Sequence, residues 1–269
     1  MKYENLKFTR DGGVGIISLN RPDKLNALTE SIWDEITNLL DEIFKDDSIV
    51  SVLLRGEGKS FCAGFDIKKS TDSGHSNVWD QWSNFQVSHD QQMKMWDYPK
   101  PIVCAVQGYC LGGGFELAGL CDFVIAADDA VFGETELRFC LMPGPLNVYT
   151  LGLRNSKEIM LLAEKFGAEK AKELGVCNRV VPRDKLEEES MRVAQRLASM
   201  PGETMRIAKR MINKAADLQG FKVLSDWAWD SFLISKMVVP KLREEFNEIG
   251  KTQGMAAAFK WLNDRYEPK

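Results

Sequence analysis

Histidine is nearly absent from this chain: 269 residues contain two, His75 and His89. So little imidazole leaves few ways to assemble a Ser-His-Asp triad or a transition-metal site. The six cysteines (62, 104, 110, 121, 140 and 177) include no C-x-x-C pair and stand mostly in apolar sequence. That fits buried free thiols better than disulfides or zinc ligands, and no metal site is expected. Positive charge is in deficit, with 35 Lys and Arg against 39 Asp and Glu and a net charge of -4. Neither nucleic acid nor an anionic membrane surface is an expected partner. No run of about eighteen apolar residues occurs, and the chain does not open on a charged segment followed by an apolar stretch. The expectation is a cytoplasmic protein outside the membrane. Internal repeats and low-complexity linkers are also missing.

A hydrophobic content of 44% over 269 residues is enough for one large core with a helical appendage. Residues 6 to 19 read as a β-hairpin turning at Asp11-Gly12-Gly13. Leu28, Ile32, Ile36, Leu39, Leu40 and Ile43 recur at helical spacing, with Thr29 placed as N-cap and Glu30 in the first turn. Strand-like runs follow at Val50 to Leu54, Ile102 to Val106 and Phe123 to Ala126. This alternation with helices argues for an α/β fold. From about Leu146 the pattern is mostly helical, broken by a strand-like segment from Val176 to Val181 and by Pro201-Gly202. Thr204 to Tyr266 mixes apolar and charged residues as helices that pack on a body or on another subunit do.

Two strand-loop-helix corners carry the chemistry. One is Gln107-Gly108-Tyr109-Cys110-Leu111-Gly112-Gly113-Gly114-Phe115-Glu116, where a strand runs into three glycines and a helix. The other is Gly58 to Lys68, after the strand at Val50 to Leu54. Glycines at such corners let a ligand approach main-chain N–H groups. Two N–H donors converging on one carbonyl oxygen would make an oxyanion hole suited to a thioester enolate. Glu116 lies in an otherwise apolar first turn, and Glu136 follows a second glycine-bearing turn, so the pair suits acid and base work on a small substrate. A dinucleotide fingerprint read from Gly112 fails at Leu117, where a third spaced glycine is required, and there is no P-loop.

Asn20-Arg21-Pro22-Asp23-Lys24-Leu25-Asn26-Ala27-Leu28, Phe61 to Lys68 and Gly108 to Leu117, in that order, resemble the enoyl-CoA hydratase/isomerase (crotonase) family. Phe132 to Glu136, Met142-Pro143-Gly144 and Ala168 to Pro182 extend the similarity. The resemblance implies a ββα spiral core over residues 1–200 and a C-terminal helical region over 201–269 that trimerises or covers the site. It implies Glu116 and Glu136 as the catalytic pair and the N–H groups of Phe65 and Gly113 as the oxyanion hole. Coenzyme A contacts carry over to Lys24, Leu25, Ala27, Ala63, Asp66, Ile67 and Lys68, although Lys24 and Lys68 taken alone read as solvated surface charges. The partner is then an acyl-CoA thioester, with no separate cofactor because coenzyme A belongs to the substrate. A homotrimer or homohexamer is implied as well.

The expected reaction is addition of water to an α,β-unsaturated acyl-CoA. A crotonase-type isomerase, carbon–carbon lyase or hydrolase is the alternative, and a non-catalytic acyl-CoA binder is the alternative of another class. Trp79, Trp82 and Phe85 share a helical face in an aromatic stretch, residues 78–98. Such a stripe is more often core than pocket, but if it lines the site a cyclic or aromatic acyl group is expected. His75 and His89 read as solvated or structural. Two departures flank the second glutamate. Glu134-Thr135-Glu136 stands where the family often has Gln-Pro-Glu, and Pro145-Leu146-Asn147 where it has Ala-Gly-Gly. Glu134 either alters the polarity of the site or faces solvent.

Overall fold

The computed structural model describes residues 3–66, 77–142, 144–238 and 241–266. Two sheets organise it. The larger has six strands in the order β1-β2-β3-β4-β6-β9. They are β1 (Leu6–Asp11), β2 (Val14–Leu19), β3 (Ser51–Gly56), β4 (Ile102–Val106), β6 (Phe123–Ala127) and β9 (Arg179–Val181). Only β1 runs antiparallel to its neighbour, with Leu6 opposite Leu19 and Asp11 opposite Val14. The smaller sheet joins β5 (Tyr109–Leu111), β7 (Val131–Gly133) and β8 (Phe166–Gly167), with β5 parallel to β7.

Strands β4 and β5 are separated only by Gln107 and Gly108, and β6 and β7 by a similarly short turn. The chain therefore passes from one sheet to the other within each winding. Isolated bridges pair Cys62 with Cys110 and Leu28 with Phe65, which carries the same step into the earlier winding.

Both faces of the inner strands β2, β3, β4 and β6 are covered, which is why they read as nearly unbroken apolar runs, whereas β1 at the edge is mostly exposed. Successive side chains point to opposite faces. Ile17, Leu19, Leu54, Cys104, Val106 and Ala126 join a core with helix α1 (Glu30–Lys45), which contributes Ile32, Trp33, Ile36, Leu39, Leu40 and Ile43. Ile16, Leu53, Val103, Ala105 and Ile125 face the other way, onto Leu186, Val193 and Ala194 of helix α6 (Leu186–Ala198). Thr29 caps α1, its side chain accepting from the Ile32 N–H at 3.4 Å.

The remaining helices are α2 (Val78–Trp96), α3 (Gly113–Gly119), α4 (Val148–Leu162), α5 (Ala168–Glu173), α7 (Gly202–Leu218), α8 (Phe221–Met237), α9 (Lys241–Gln253) and α10 (Met255–Tyr266). No helix among the described residues is long and apolar enough to cross a membrane. All six cysteines are free thiols, four of them buried.

The strand-like segment from Val176 to Val181 shortens to Arg179–Val181. Gly175, at φ 76°, turns the chain out of the preceding helix. Val176 and Cys177 are buried before pairing begins.

Helix α7 is fastened to the sheet by a buried charge pair. Lys209 Nζ donates to Asp122 Oδ2 at 2.6 Å and to the Lys100 carbonyl at 3.2 Å. Asp122 in turn accepts from the Ile102 N–H at 2.7 Å. Removing one partner leaves a buried charge without compensation. Lys209→Met is therefore expected to cost about 3 kcal/mol, read as a lowered urea midpoint. An unchanged midpoint would show that the pair does not hold α7 in place.

Candidate active site

The two glycine corners meet. Phe61 N–H donates to the Gln107 carbonyl at 2.7 Å, Cys62 N–H to Tyr109 O at 2.9 Å and Leu111 N–H to Cys62 O at 3.0 Å. Gly114 is glycine for a visible reason: a Cβ there would stand 2.5 Å from the Cys62 carbonyl. Gly64, at φ 101°, turns the first corner so that a Cβ at its position would lie 3.8 Å from the Gly113 nitrogen.

The N–H groups around this junction are mostly engaged. Ala63 donates to Leu25, Asp66 to Leu28, Gly112 to Gly133 and Glu116 to Gly112. Neither Phe65 N–H nor Gly113 N–H donates to an acceptor among the described residues. Gly113 is the first residue of α3, so its N–H is one of the donors a helix start leaves over. The Phe65 ring lies against it, 2.6 Å from where a Cβ at 113 would be.

Three carboxyl groups gather beside this junction. Glu116, buried on α3, has its Oε1 1.1 Å from the place a Cβ at position 144 would take, so Gly144 makes room for it. Glu136 opens a single 3-10 turn (Glu136–Phe139), and its Oε1 lies 2.0 Å from a would-be Cβ at Gly112. Glu134 is fully buried at 0% exposure, which rules out the solvent-facing alternative.

Burial raises all three carboxyl pKa values. Desolvation, then the neighbouring Glu136 charge, pushes Glu116 up to about 8, partly offset by the buried Gln92 amide beside it. Desolvation and then the charges of Glu136 and Glu116 hold Glu134 well above the ordinary range. Glu136 is also raised by burial, but hydrogen bonding from Glu134 and from the backbone opposes the rise. Asn147, from the altered segment, donates to the Phe115 carbonyl at 3.3 Å and lies beside Glu134. Among the described residues no cluster of His, Cys, Asp and Glu is arranged to hold a metal ion.

The segments expected to meet coenzyme A adjoin this site. Leu25 and Asn26 adopt positive φ of 49° and 55°. The Asn26 side chain holds the turn by accepting from Arg21 N–H and donating to the Glu57 and Ser60 carbonyls. Arg21 ties the two segments together, donating to the Ala27 carbonyl at 2.7 Å and pairing with Asp66 at 3.2 Å. Leu25, Ala27, Ala63 and Asp66 are thus neighbours, and Lys24 is exposed on the same turn. Ile67, Lys68 and His75 lie outside the described residues.

Arg21 was not among the expected site residues, nor was Gln92. A signal for Gln92 existed: Phe85, His89, Gln92 and Trp96 fall at helical spacing, which puts a lone amide on an otherwise packed face. His89 is structural, buried and 3.2 Å from Ser225 Oγ and 3.3 Å from Asp226. Phe85 packs on Trp229 and Phe232 of α8. Trp82 stacks on the exposed Trp79 and donates to Asp230 at 3.1 Å. The aromatic stripe is thus mainly a helix–helix contact.

The carboxyl cluster couples stability to pH. Glu116 keeps its proton to about 8 when folded, against 4.5 as its ordinary value. Between those limits the folded chain binds a proton that the unfolded chain has released, so stability falls as pH rises through this window. Glu116→Gln is expected to flatten that fall in the thermal midpoint. An unaltered slope would mean that the folded Glu116 is ionised.

The chain matches the profile of the enoyl-CoA hydratase/isomerase family over residues 9–229. It is 35% identical over 219 residues to a probable enoyl-CoA hydratase of Mycobacterium tuberculosis, covering 80% of this chain and 83% of the relative. A hydroxycinnamoyl-CoA hydratase-lyase of Pseudomonas fluorescens is 29% identical over 94% of this chain and 91% of its own length. The crystal structure of an enoyl-CoA hydratase/isomerase from Xanthobacter autotrophicus Py2 superposes with a TM-score of 0.94 at 33% identity, covering 99% of this chain and all of the other. The two-sheet winding with its helical C-terminal region is the crotonase fold, and this chain belongs to the enoyl-CoA hydratase/isomerase family.

Proposed function

We propose that this chain is an enoyl-CoA hydratase that adds water across the α,β double bond of an acyl-CoA thioester. The observation that carries the reading is the meeting of two carboxyls, Glu116 and Glu136, whose pKa values burial raises, with two unengaged backbone donors, Phe65 N–H and Gly113 N–H. The thioester carbonyl takes the two donors, with the pantetheine between the turn at Lys24, Leu25 and Ala27 and the loop at Ala63 and Asp66. A water held by the pair gives its proton to the ionised carboxylate, and its oxygen bonds to Cβ. The π electrons move through Cα onto the carbonyl oxygen, where the donors stabilise the enolate. Collapse of the enolate takes a proton from the protonated carboxyl onto Cα and leaves the thioester intact. No separate cofactor enters these steps.

Two carboxylates so close cannot both ionise readily, which supplies one acid and one base at neutral pH. Because an acid must be present, activity is expected to fall as pH rises through about 8, where Glu116 loses its proton. Glu116→Gln and Glu136→Gln are each expected to lower kcat by about 10² or more, with KM changed only a few-fold. The products of a panel of straight-chain, cyclic and aryl enoyl-CoA esters decide the reaction: a gain of one water with no free thiol supports hydration. Thiol release, an isomer of unchanged mass, or full turnover by both variants would overturn it. Hydration followed by carbon–carbon cleavage is the second reading, favoured by similarity to the hydroxycinnamoyl-CoA hydratase-lyase over nearly the whole chain. It would appear as an aldehyde and a shortened acyl-CoA.

The working form we propose is a homotrimer or homohexamer in the cytoplasm. The reading is supported by Leu153, Ile207, Met211, Leu218, Val223 and Trp227, large apolar side chains each at least 67% exposed on α4, α7 and α8, which a second subunit would cover. Light scattering is expected to give three or six chains per particle, and a monomeric mass would refute this.

A further inference from the structure

We propose that Glu134 is a positioning residue: as a neutral carboxylic acid it donates its O–H to the Glu136 carboxylate and so holds Glu136 as the proton acceptor of the catalytic pair. This rests on the proposed hydration, and it concerns a residue in neither the acid/base pair nor the oxyanion hole.

The argument starts from satisfaction of buried polar atoms. Glu134 is fully buried. With carboxylates counted as acceptors alone, neither Glu134 oxygen nor Glu136 Oε2 has a donor among the described residues. Such orphans are rare and costly in a native interior. The two carboxyls nevertheless touch, and their contact becomes a hydrogen bond once one of them carries a proton. A single proton on Glu134 therefore gives a partner to both residues. A charge-assisted bond of this kind is among the stronger ones available.

The charged groups around Glu134 favour that placement, against the Asn147 amide beside it, which favours the ionised form. Glu116 faces the cluster from α3, Glu136 from the turn and the Cys110 thiol from β5. The thiol is buried and pushed well above its usual range, so it stays neutral. No cation is among the groups that perturb Glu134. Arg138, on the same turn, sends its Nε to the Ala163 carbonyl at 2.7 Å and its guanidinium over the Tyr266 ring. With no positive charge to hold three carboxylates together, the most enclosed one is the natural site for the proton. Glu134 is more buried than Glu116, at 0% against 7% exposure.

Division of labour follows. A hydrogen bond to the charged form of Glu136 favours that form. Glu136 is then the group that receives the proton of water, and Glu116 is left to supply Cα. A glutamine at 134 also has an N–H to donate, whereas leucine fills the space and offers no donor.

Infrared difference spectroscopy of the substrate-free protein tests the charge state directly. At neutral pH the wild type minus Glu134→Gln spectrum is expected to show the carbonyl stretch of a protonated carboxylic acid, and its absence would overturn the proposal. In a Glu116→Gln background, which removes the other protonated carboxyl, Glu136→Gln is expected to move that band to higher frequency, because an amide oxygen accepts more weakly than a carboxylate. An unmoved band would also overturn it, and this arm does not depend on the first variant folding.

Kinetics tests the positioning. Glu134→Leu should lower kcat about 10²-fold, as loss of a preorganised donor does, and shift the acid limb of the kcat profile upward by about one pH unit. Glu134→Gln should bring the limb back to the wild-type position. Identical limbs in both variants would leave Glu134 a space-filling role only and refute the inference. If the wild type hydrates no enoyl-CoA, the proposed function fails, while the two infrared arms still decide the state of Glu134.

Discussion

The meeting of the two glycine corners depends on a short backbone ladder between residues 61–62 and 107–111. Its three hydrogen bonds, at 2.7, 2.9 and 3.0 Å, join loops that are about fifty residues apart in the chain. The glycines on either side show how tight the junction is. A Cβ at Gly108 would stand 2.2 Å from the Lys59 carbonyl, and one at Gly114 would stand 2.5 Å from that of Cys62. This ladder brings the Phe65 and Gly113 N–H groups, on separate loops, near one another. Donors held by the fold need no reorganisation when charge develops on the substrate, which is the main source of their catalytic value.

The protein buries charged groups in two ways, and the contrast separates scaffold from site. Lys100 is fully buried, yet its Nζ donates to the carbonyls of Ile43 and Asp46 at 2.6 and 2.7 Å. Lys209 has Asp122 and a carbonyl. These groups are satisfied, and they tie elements together. The three glutamates instead share one enclosure with a single amide, Gln92, offsetting Glu116 and another, Asn147, beside Glu134. Folding leaves them raised and mutually repelling. A cluster that costs stability without fastening any element is the pattern expected where proton transfer is the purpose.

Much of this was legible in the sequence, and the rest was hidden for identifiable reasons. The hairpin, the Thr29-capped helix and the strands at 51–56 and 102–106 follow from periodicity and turn residues over six or more positions or from a clear apolar run. The glycine corners exposed themselves because only close approach explains so many glycines beside small residues. Strands β5, β7 and β8 have three, three and two residues, too few for any alternation to register. Their pairing is set by the windings on which they sit. Glu134 could not be assigned because strand alternation does not say how a two-residue step after β7 will bend. Gln92 and Asn147 come from elements distant in sequence, and no local pattern marks their meeting with Glu116 and Glu134.

The C-terminal helices bear on the site from outside the windings. Phe139, on the turn that carries Glu136, packs edge-on against Phe246 of α9 and Phe259 of α10. Met142 N–H donates to Ser235 Oγ of α8 at 3.3 Å. The same α8 presents Trp229 and Phe232 to Phe85 of α2, and Asp230 to Trp82. The loop bearing Glu136 is therefore braced by α9 and α10 through Phe139 and by α8 through Met142, and α8 alone of these also packs on the aromatic helix. The Phe65 and Gly113 N–H groups, by contrast, rest on the ladder inside the windings. On the proposed reading, changes to α8 would reach the Glu136 loop through Met142, while Phe65 and Gly113 stayed in place. The Glu136 loop and the two backbone donors thus rest on different supports in this chain.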